Sequence, residues 1–167
     1  MSNPNVSNVE NIKNDSDYLA GEIAKQLNDK SAFFKDSEVQ LLKFHGTYQQ
    51  FNRDTATELK TQGLEKEFYF MIRAKVTGGI LSAKQYIDFD NLSNQFSNKT
   101  LRITTRQTFQ FHGVIKGNLR KIINNVGKMF LTTYGACGDV VRNVTTIAAP
   151  IQDAIHKQLR QDALKIS

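Results

Sequence analysis

Glu67-Phe68-Tyr69-Phe70-Met71-Ile72-Arg73-Ala74-Lys75-Val76 decides the fold. Its even positions are all apolar, while the odd ones include Glu67, Arg73 and Lys75. A period of two sustained over this length marks a strand with one face in a core and the other outside it. Thr77-Gly78-Gly79 breaks the run. Ser82 then caps a predicted helix whose apolar positions Tyr86, Phe89, Leu92 and Phe96 have helical spacing.

The alternation resumes from Leu101 to Val114. Leu101, Ile103, Phe109 and Phe111 share one parity, and Arg102, Thr104, Arg106, Gln110 and His112 share the other. A turn near Arg106-Gln107 divides this region into two strands. Gly117-Asn118 opens a second helix with Leu119, Ile122, Ile123, Val126 and Phe130 as its apolar stripe. The loop Tyr134-Gly135-Ala136-Cys137-Gly138-Asp139 leads to an expected last strand, Val144–Ile147, closed by Pro150, and Asp153 to Ile166 reads as helix.

Upstream, residues 1–15 lack any period and are expected to be a flexible arm. Leu19, Ile23 and Leu27 predict a helix over Asp17 to Asn28 with Ser16 as its N-cap. Val39 to Phe44 reads as a strand followed by a polar stretch, and Thr55 to Gly63 as a connection or brief helix. The chain thus divides into the arm (1–15), a helix-strand extension (16–63), a central unit (64–150) and the start of a further helix (151–167). The core order, strand-helix-strand-strand-helix-strand, is α+β and ferredoxin-like: a mainly antiparallel sheet with both helices on one face. The opposite face is left open, and Arg73, Arg102 and Arg106 are expected to share it.

Composition narrows what that face can do. The chain has 167 residues, 40% hydrophobic, and a formal net charge of +6. No apolar run approaches the length of a membrane helix. The N-terminus shows no export signal, so the cytoplasm is the expected compartment. Cys137 is the single cysteine, which excludes an internal disulfide framework and a cluster site made by this chain alone. Between Asp90 and Asp139 there is no acidic residue, whereas Lys99, Arg102, Arg106, Lys116, Arg120, Lys121 and Lys128 all fall there. Such a stretch suggests a positive field toward an anionic partner: nucleic acid, a polycarboxylate cofactor or a small oxyanion. It is equally compatible with extended arginines on a solvated sheet face. Arginine suits carboxylates and sulfur oxyanions because its fork donates paired hydrogen bonds and stays charged. Arg142, after the glycine-bearing loop, adds a further guanidinium. No histidine pair has metal-binding spacing, so no metal site is expected.

Leu101-Arg102-Ile103-Thr104-Thr105-Arg106-Gln107-Thr108-Phe109-Gln110-Phe111-His112-Gly113 resembles the signature of the siroheme-dependent sulfite and nitrite reductases. Three more blocks agree in order: Lys43-Phe44-His45-Gly46-Thr47-Tyr48-Gln49-Gln50, then Phe70-Met71-Ile72-Arg73 with Gly78-Gly79, then Ala136 to Val144. The first of these points to the sulfite-reducing hemoprotein branch. The resemblance implies six-electron reduction of sulfite to sulfide, with siroheme and a 4Fe–4S cluster as cofactors of the complete protein. A flavoprotein subunit carrying FAD and FMN would deliver electrons from NADPH. By the same resemblance, Arg73 and Arg142 match sulfite-binding, catalytic arginines. Arg102, Thr104, Arg106, Gln110 and His112 match siroheme-binding positions. Val141 replaces a usual asparagine, Thr77 a usual proline, and Phe51-Asn52 a frequently acidic pair. Because the family's cluster cysteines and active-site lysines fall beyond Ser167, the expectation is an N-terminal fragment that leads into an absent siroheme and cluster domain. Such a fragment is expected to be apo, inactive alone, and prone to self-association through surface left uncovered. A single-stranded RNA-binding module is the alternative, since such modules share the strand-helix order and a basic open face.

Overall fold

The computed structural model describes residues 7–136, 142–147 and 149–167. Its elements are α1 (Asn8–Asn14), α2 (Ile23–Gln26), α3 (Asp36–Phe44), β1 (Thr47–Phe51), α4 (Arg53–Thr61), β2 (Phe68–Ala74), α5 (Ala83–Phe96), β3 (Leu101–Ile103), β4 (Phe109–Val114), α6 (Leu119–Lys128) and α7 (Ala154–Ile166). One four-stranded sheet runs β1-β2-β4-β3, with every neighbouring pair antiparallel.

The alternation read from the sequence sorts the two faces as expected. Phe70, Ile72, Ala74, Phe109, Phe111 and Val114 point into one core with Phe89 and Leu92 of α5 and Leu119, Ile122 and Val126 of α6. Phe89 lies against Phe109 and Phe111 at centroid separations of 4.8 and 5.7 Å. Burial of this aromatic trio is the main hydrophobic attachment of α5 to the sheet. Ser82 starts that helix with a reciprocal capping box: its Oγ accepts from Gln85 N at 3.2 Å, and Gln85 Oε1 accepts from Ser82 N at 2.9 Å. The fold is thus the expected α+β, ferredoxin-like one.

Several elements differ from the sequence reading. No strand forms at 144–147, and the position beside β2 is taken by β1, from the region read as a polar stretch. Gln49 of β1 spends its amide on the backbone of Phe34, accepting from N at 2.6 Å and donating to O at 3.3 Å. Residues 39–44 are helix, not strand: Asp36 and Glu38 sit in the first turn of α3, and Leu41 and Leu42 are buried. The helix expected over 17–28 shrinks to α2, because Asp17, Tyr18, Leu19 and Gly21 all have positive φ, which a right-handed helix excludes. The stretch expected as an arm contains α1. Phe130 leaves the α6 stripe: at φ 58° it terminates the helix and is almost fully exposed, while Met129 is buried.

Two features tie the N-terminal segment to the sheet. Buried Lys116 donates to Asp29 Oδ1 at 2.7 Å and to Phe33 O at 2.9 Å, with its ammonium 4.6 Å from the centroid of Phe34. Phe34 in turn meets Phe70 edge-on at 5.6 Å. Gly46, at φ 70°, accepts from Arg73 N at 2.8 Å, and a Cβ there would collide with the carbonyl oxygens of Thr133 and Arg73. No described helix is long and apolar enough to cross a membrane.

Candidate functional site

On the face away from α5 and α6, three strands present one row. Gln110 of β4 pairs with Arg73 of β2 on one side and with Arg102 of β3 on the other. Directly paired residues project to the same face at close range, so two guanidiniums flank one amide. With its oxygen turned toward Arg73, Gln110 accepts from Arg73 Nε at 3.1 Å and from Nη2, and its nitrogen donates to His112 Nε2 at 3.1 Å. Accepting at Nε2 places the imidazole proton on Nδ1.

His112 reaches this face through a β-bulge. Phe70 pairs with Val114 and Ile72 with Phe111, so His112 and Gly113 together oppose Met71. Gly113 supplies the positive φ of 66°, and an added Cβ would stand 2.9 Å from Asn98 Cβ. Burial, and then the positive charges of Arg102 and Arg73, push the His112 pKa below its ordinary value. The imidazole therefore favours its neutral form in a positive field.

The remaining expected site residues lie around the β3–β4 turn. Thr104 closes it, donating from N to Thr108 O at 2.9 Å, with the two hydroxyl oxygens 2.6 Å apart. Arg106 lies inside the turn, where strand parity has no meaning, so parity does not place it in the row. Its Nη2 donates instead to Asn143 O at 2.8 Å. Arg142 is exposed and adjoins Asn143. The structure therefore gathers Arg73, Arg102, Gln110 and His112 into one row. It sets Thr104, Arg106 and Arg142 about the turn. Cys137 lies outside the described residues.

Two residues that the sequence reading passed over organise this end of the sheet. Asn143 Nδ2 approaches Val76 O, Arg106 O and Gln107 O at 2.9, 2.8 and 3.2 Å. Gln107 pairs its amide with the backbone of Thr146, donating to O at 2.7 Å and accepting from N at 3.1 Å. No periodic signal marks a single amide that bonds to distant backbone.

Other parts of the molecule read differently. His45 bonds to Leu19 O at 3.1 Å, and His156 pairs with Asp153 at the start of α7, so both have structural partners. A cavity of about 460 Å³ is lined by Ile80, Ile103, Phe109, Ile147 and Pro150 among others. Ile103 and Phe109 have the parity opposite to Arg102 and Gln110, so this apolar hollow is distinct from the arginine row. Phe109 and Phe111 are buried, at 6% and 0% exposure, so neither offers a stacking surface for a nucleobase. Among the described residues no group of three or more His, Cys, Asp or Glu side chains could hold a metal ion.

Residues 62–129 match the model of the nitrite/sulfite reductase ferredoxin-like half domain. The chain is 50% identical over 159 residues to sulfite reductase (NADPH) subunit beta of Schizosaccharomyces pombe, covering 95% of this chain and 11% of that protein. It is 43% identical over 162 residues to the sulfite reductase (NADPH) hemoprotein beta-component of Shouchella clausii, covering 96% and 28%. The Bacillus subtilis beta-component is 41% identical, again over 96% and 28%. Among solved structures, the NirA protein of Mycobacterium tuberculosis superposes with a TM-score of 0.65 at 24% identity, over 81% of this chain and 26% of that one. The chain therefore spans less than a third of each of these relatives.

Proposed function

We propose that this chain is the N-terminal part of a sulfite reductase hemoprotein, a member of the nitrite/sulfite reductases through its ferredoxin-like half domain. The arginine row of the sheet would receive the anionic groups of siroheme and sulfite. The observation that carries this reading is the cross-strand set Arg73, Gln110 and Arg102 with His112 beside it. Guanidiniums fixed on strands are pre-oriented donors, so a carboxylate or oxyanion exchanges water for hydrogen bonds already aimed at it. Arg73 is held by Gln110 before any ligand arrives, which leaves less freedom to lose on binding.

The donor set fits a polycarboxylate macrocycle. Its residues are cationic or neutral donors; burial first, and then the charges of Arg102 and Arg73, lower the His112 pKa, so two guanidinium charges act where carboxylates would lie. Arg73 and Arg142 would hold sulfite. Arg102, Thr104, Arg106, Gln110 and His112 would hold the siroheme periphery. Siroheme, when bound, supplies the iron at which sulfite is reduced, while these side chains bind, orient and keep charge in place. The 4Fe–4S cluster does not fit this chain: it takes about four thiolates, and the sequence has one cysteine. Its ligands, the partner flavoprotein and the electron path from NADPH belong to the rest of a complete cytoplasmic enzyme, with the half domain filling 64–150. Surface covered there would leave the isolated chain inclined to self-associate and without activity.

Titrating the chain with siroheme, followed by its visible absorption, tests the reading. Binding should weaken in Arg73→Ala and Arg102→Ala and fall with rising salt. Tight binding of single-stranded RNA, with siroheme ignored, would replace it.

A further inference from the structure

We propose that Asn143 is a positioning residue: it fastens the segment carrying Arg142 to the β3–β4 turn carrying Arg106, so that both guanidiniums enter the anion-binding face as one unit. This rests on the polyanion reading above and concerns how the face is assembled.

Residues 143–147 occupy the place where a closing strand was expected, yet no sheet ladder holds them. One backbone bond joins them to the 76–79 turn, from Gly78 N to Val144 O at 2.9 Å. The remaining attachments described use side chains. The Asn143 amide reaches the carbonyls of Val76, Arg106 and Gln107, and its own backbone oxygen accepts from Arg106 Nη2. Val76 follows the strand that carries Arg73, and Arg106 and Gln107 follow the strand that carries Arg102. One amide thus ties the segment bearing Arg142 to the ends of the two strands that carry Arg73 and Arg102.

The glycine pair makes room for this arrangement. A Cβ on Gly78 would stand 3.2 Å from Thr146 Oγ1, and one on Gly79 would stand 3.1 Å from Gln107 Cδ. Both glycines have positive φ, so the turn curls under the segment in a conformation that other residues resist. Thr146 Oγ1 donates to Gly78 O at 3.1 Å, and the Gln107 amide clasps the Thr146 backbone.

Asn143 is also incompletely satisfied. It is 1% exposed, and its Oδ1 has no hydrogen-bond partner among the described residues. A buried amide oxygen left without a donor is unfavourable and rare. Stability alone would favour an apolar residue or a fully paired amide. The donor side of this amide, by contrast, is used to excess. That imbalance fits a residue kept for where it places its neighbours. Because the Asn143 side-chain amide bonds to backbone carbonyls only, its effect on a bound anion must pass through Arg142 and Arg106.

The test uses the full chain and uroporphyrin I, a polycarboxylate tetrapyrrole whose fluorescence reports binding. Asn143→Ala should weaken binding about tenfold, the scale of one charge-assisted contact. Arg142→Gln, which leaves Arg106 in place, should weaken it less, and the double variant should be no weaker than Asn143→Ala alone. A merely structural defect would instead multiply with Arg142→Gln. An unchanged affinity in Asn143→Ala, or multiplicative losses in the double variant, would overturn the inference. If Asn143→Ala fails to fold, Gln107→Ala, which releases Thr146, replaces it with the same expected non-additivity. Should the wild-type chain ignore uroporphyrin I, the polyanion reading falls by itself. Relaxation of the Arg142 side-chain Nε then decides: order lost in the variant sustains the positioning role, and an Arg142 equally ordered in both chains removes it.

Discussion

Arg73 and Gln110 face each other across β2 and β4, and the Gln110 amide oxygen receives both Nε and Nη2 of the guanidinium. The same amide donates to His112. One side chain therefore sets the direction of a cation and the tautomer of an imidazole. Gln110→Leu should remove both constraints while keeping the strand, since the residue lies on the face away from the core. Affinity for uroporphyrin I should fall several-fold with little change in urea midpoint. Gln110→Glu keeps the acceptor but adds a negative charge beside Arg73, so it should weaken binding further and raise the His112 pKa, read by imidazole NMR. Unchanged binding in both variants would show that Arg73 needs no such support.

A pH dependence follows from His112, which Arg102 and Arg73 flank and Gln110 contacts. Its pKa in the folded chain lies below the ordinary 6.5, from burial first and then from those two arginines. The unfolded chain therefore takes up a proton before the folded one does. Stability is lost as pH falls from 6.5 toward the lowered value, and is unaffected above it. A bound polycarboxylate reverses the field and favours the imidazolium. Affinity should rise between pH ~7.5 and ~5.5, above the usual carboxylate range, and His112→Gln should flatten both trends.

Gly46 stands where chain and sheet meet most closely. Its φ of 70° and the carbonyls of Thr133 and Arg73 leave no room for a methyl group. Gly46→Ala should cost at least about 2 kcal/mol by urea unfolding, combining left-handed strain with overpacking. Since Gly46 O accepts from Arg73 N, the variant should also weaken anion binding. A midpoint like that of the wild type would mean the 44–47 turn can move aside.

Lys116 fixes the N-terminal segment. Lys116→Met keeps the apolar stem but leaves Asp29 and the Phe33 carbonyl without their donor. A lower melting temperature and faster proteolysis near residues 28–35 are expected. Lys116 holds the Asp29 carboxyl below its ordinary pKa of 3.8, chiefly by hydrogen bonding. That contribution is present above 3.8 and disappears as pH falls through the lowered value. The wild type should therefore lose this part of its advantage in strong acid.

The legible parts of the sequence are those where one period is unambiguous. Phe68 to Ala74 and Phe109 to Phe111 alternate because one side of each strand is buried, which put Arg73 on the open face and Gln110 and His112 on the polar parity, and the alternation of Leu101 to Ile103 added Arg102. Val39 to Phe44 is short and apolar enough to fit either period, and its docking as α3 is decided by neighbours distant in sequence. Residues 47–51 conceal a strand because Gln49 faces the chain at Phe34 and Gln50 the open face, so no apolar alternation survives. Arg106 misled because parity stops at a turn. Asn143 and Gln107 bond to backbone from isolated positions, an arrangement that composition and spacing do not encode.

The strand that shields the outer flank of β2 is β1, which lies upstream of the stretch matched to the half domain. Trimming the chain to residues 62–129 would strip that shield and leave the amides and carbonyls from Phe68 to Ile72 without their partners. Such exposed borders recruit other copies. A chain cut to 62–129 should therefore self-associate more strongly than one that begins before Thr47.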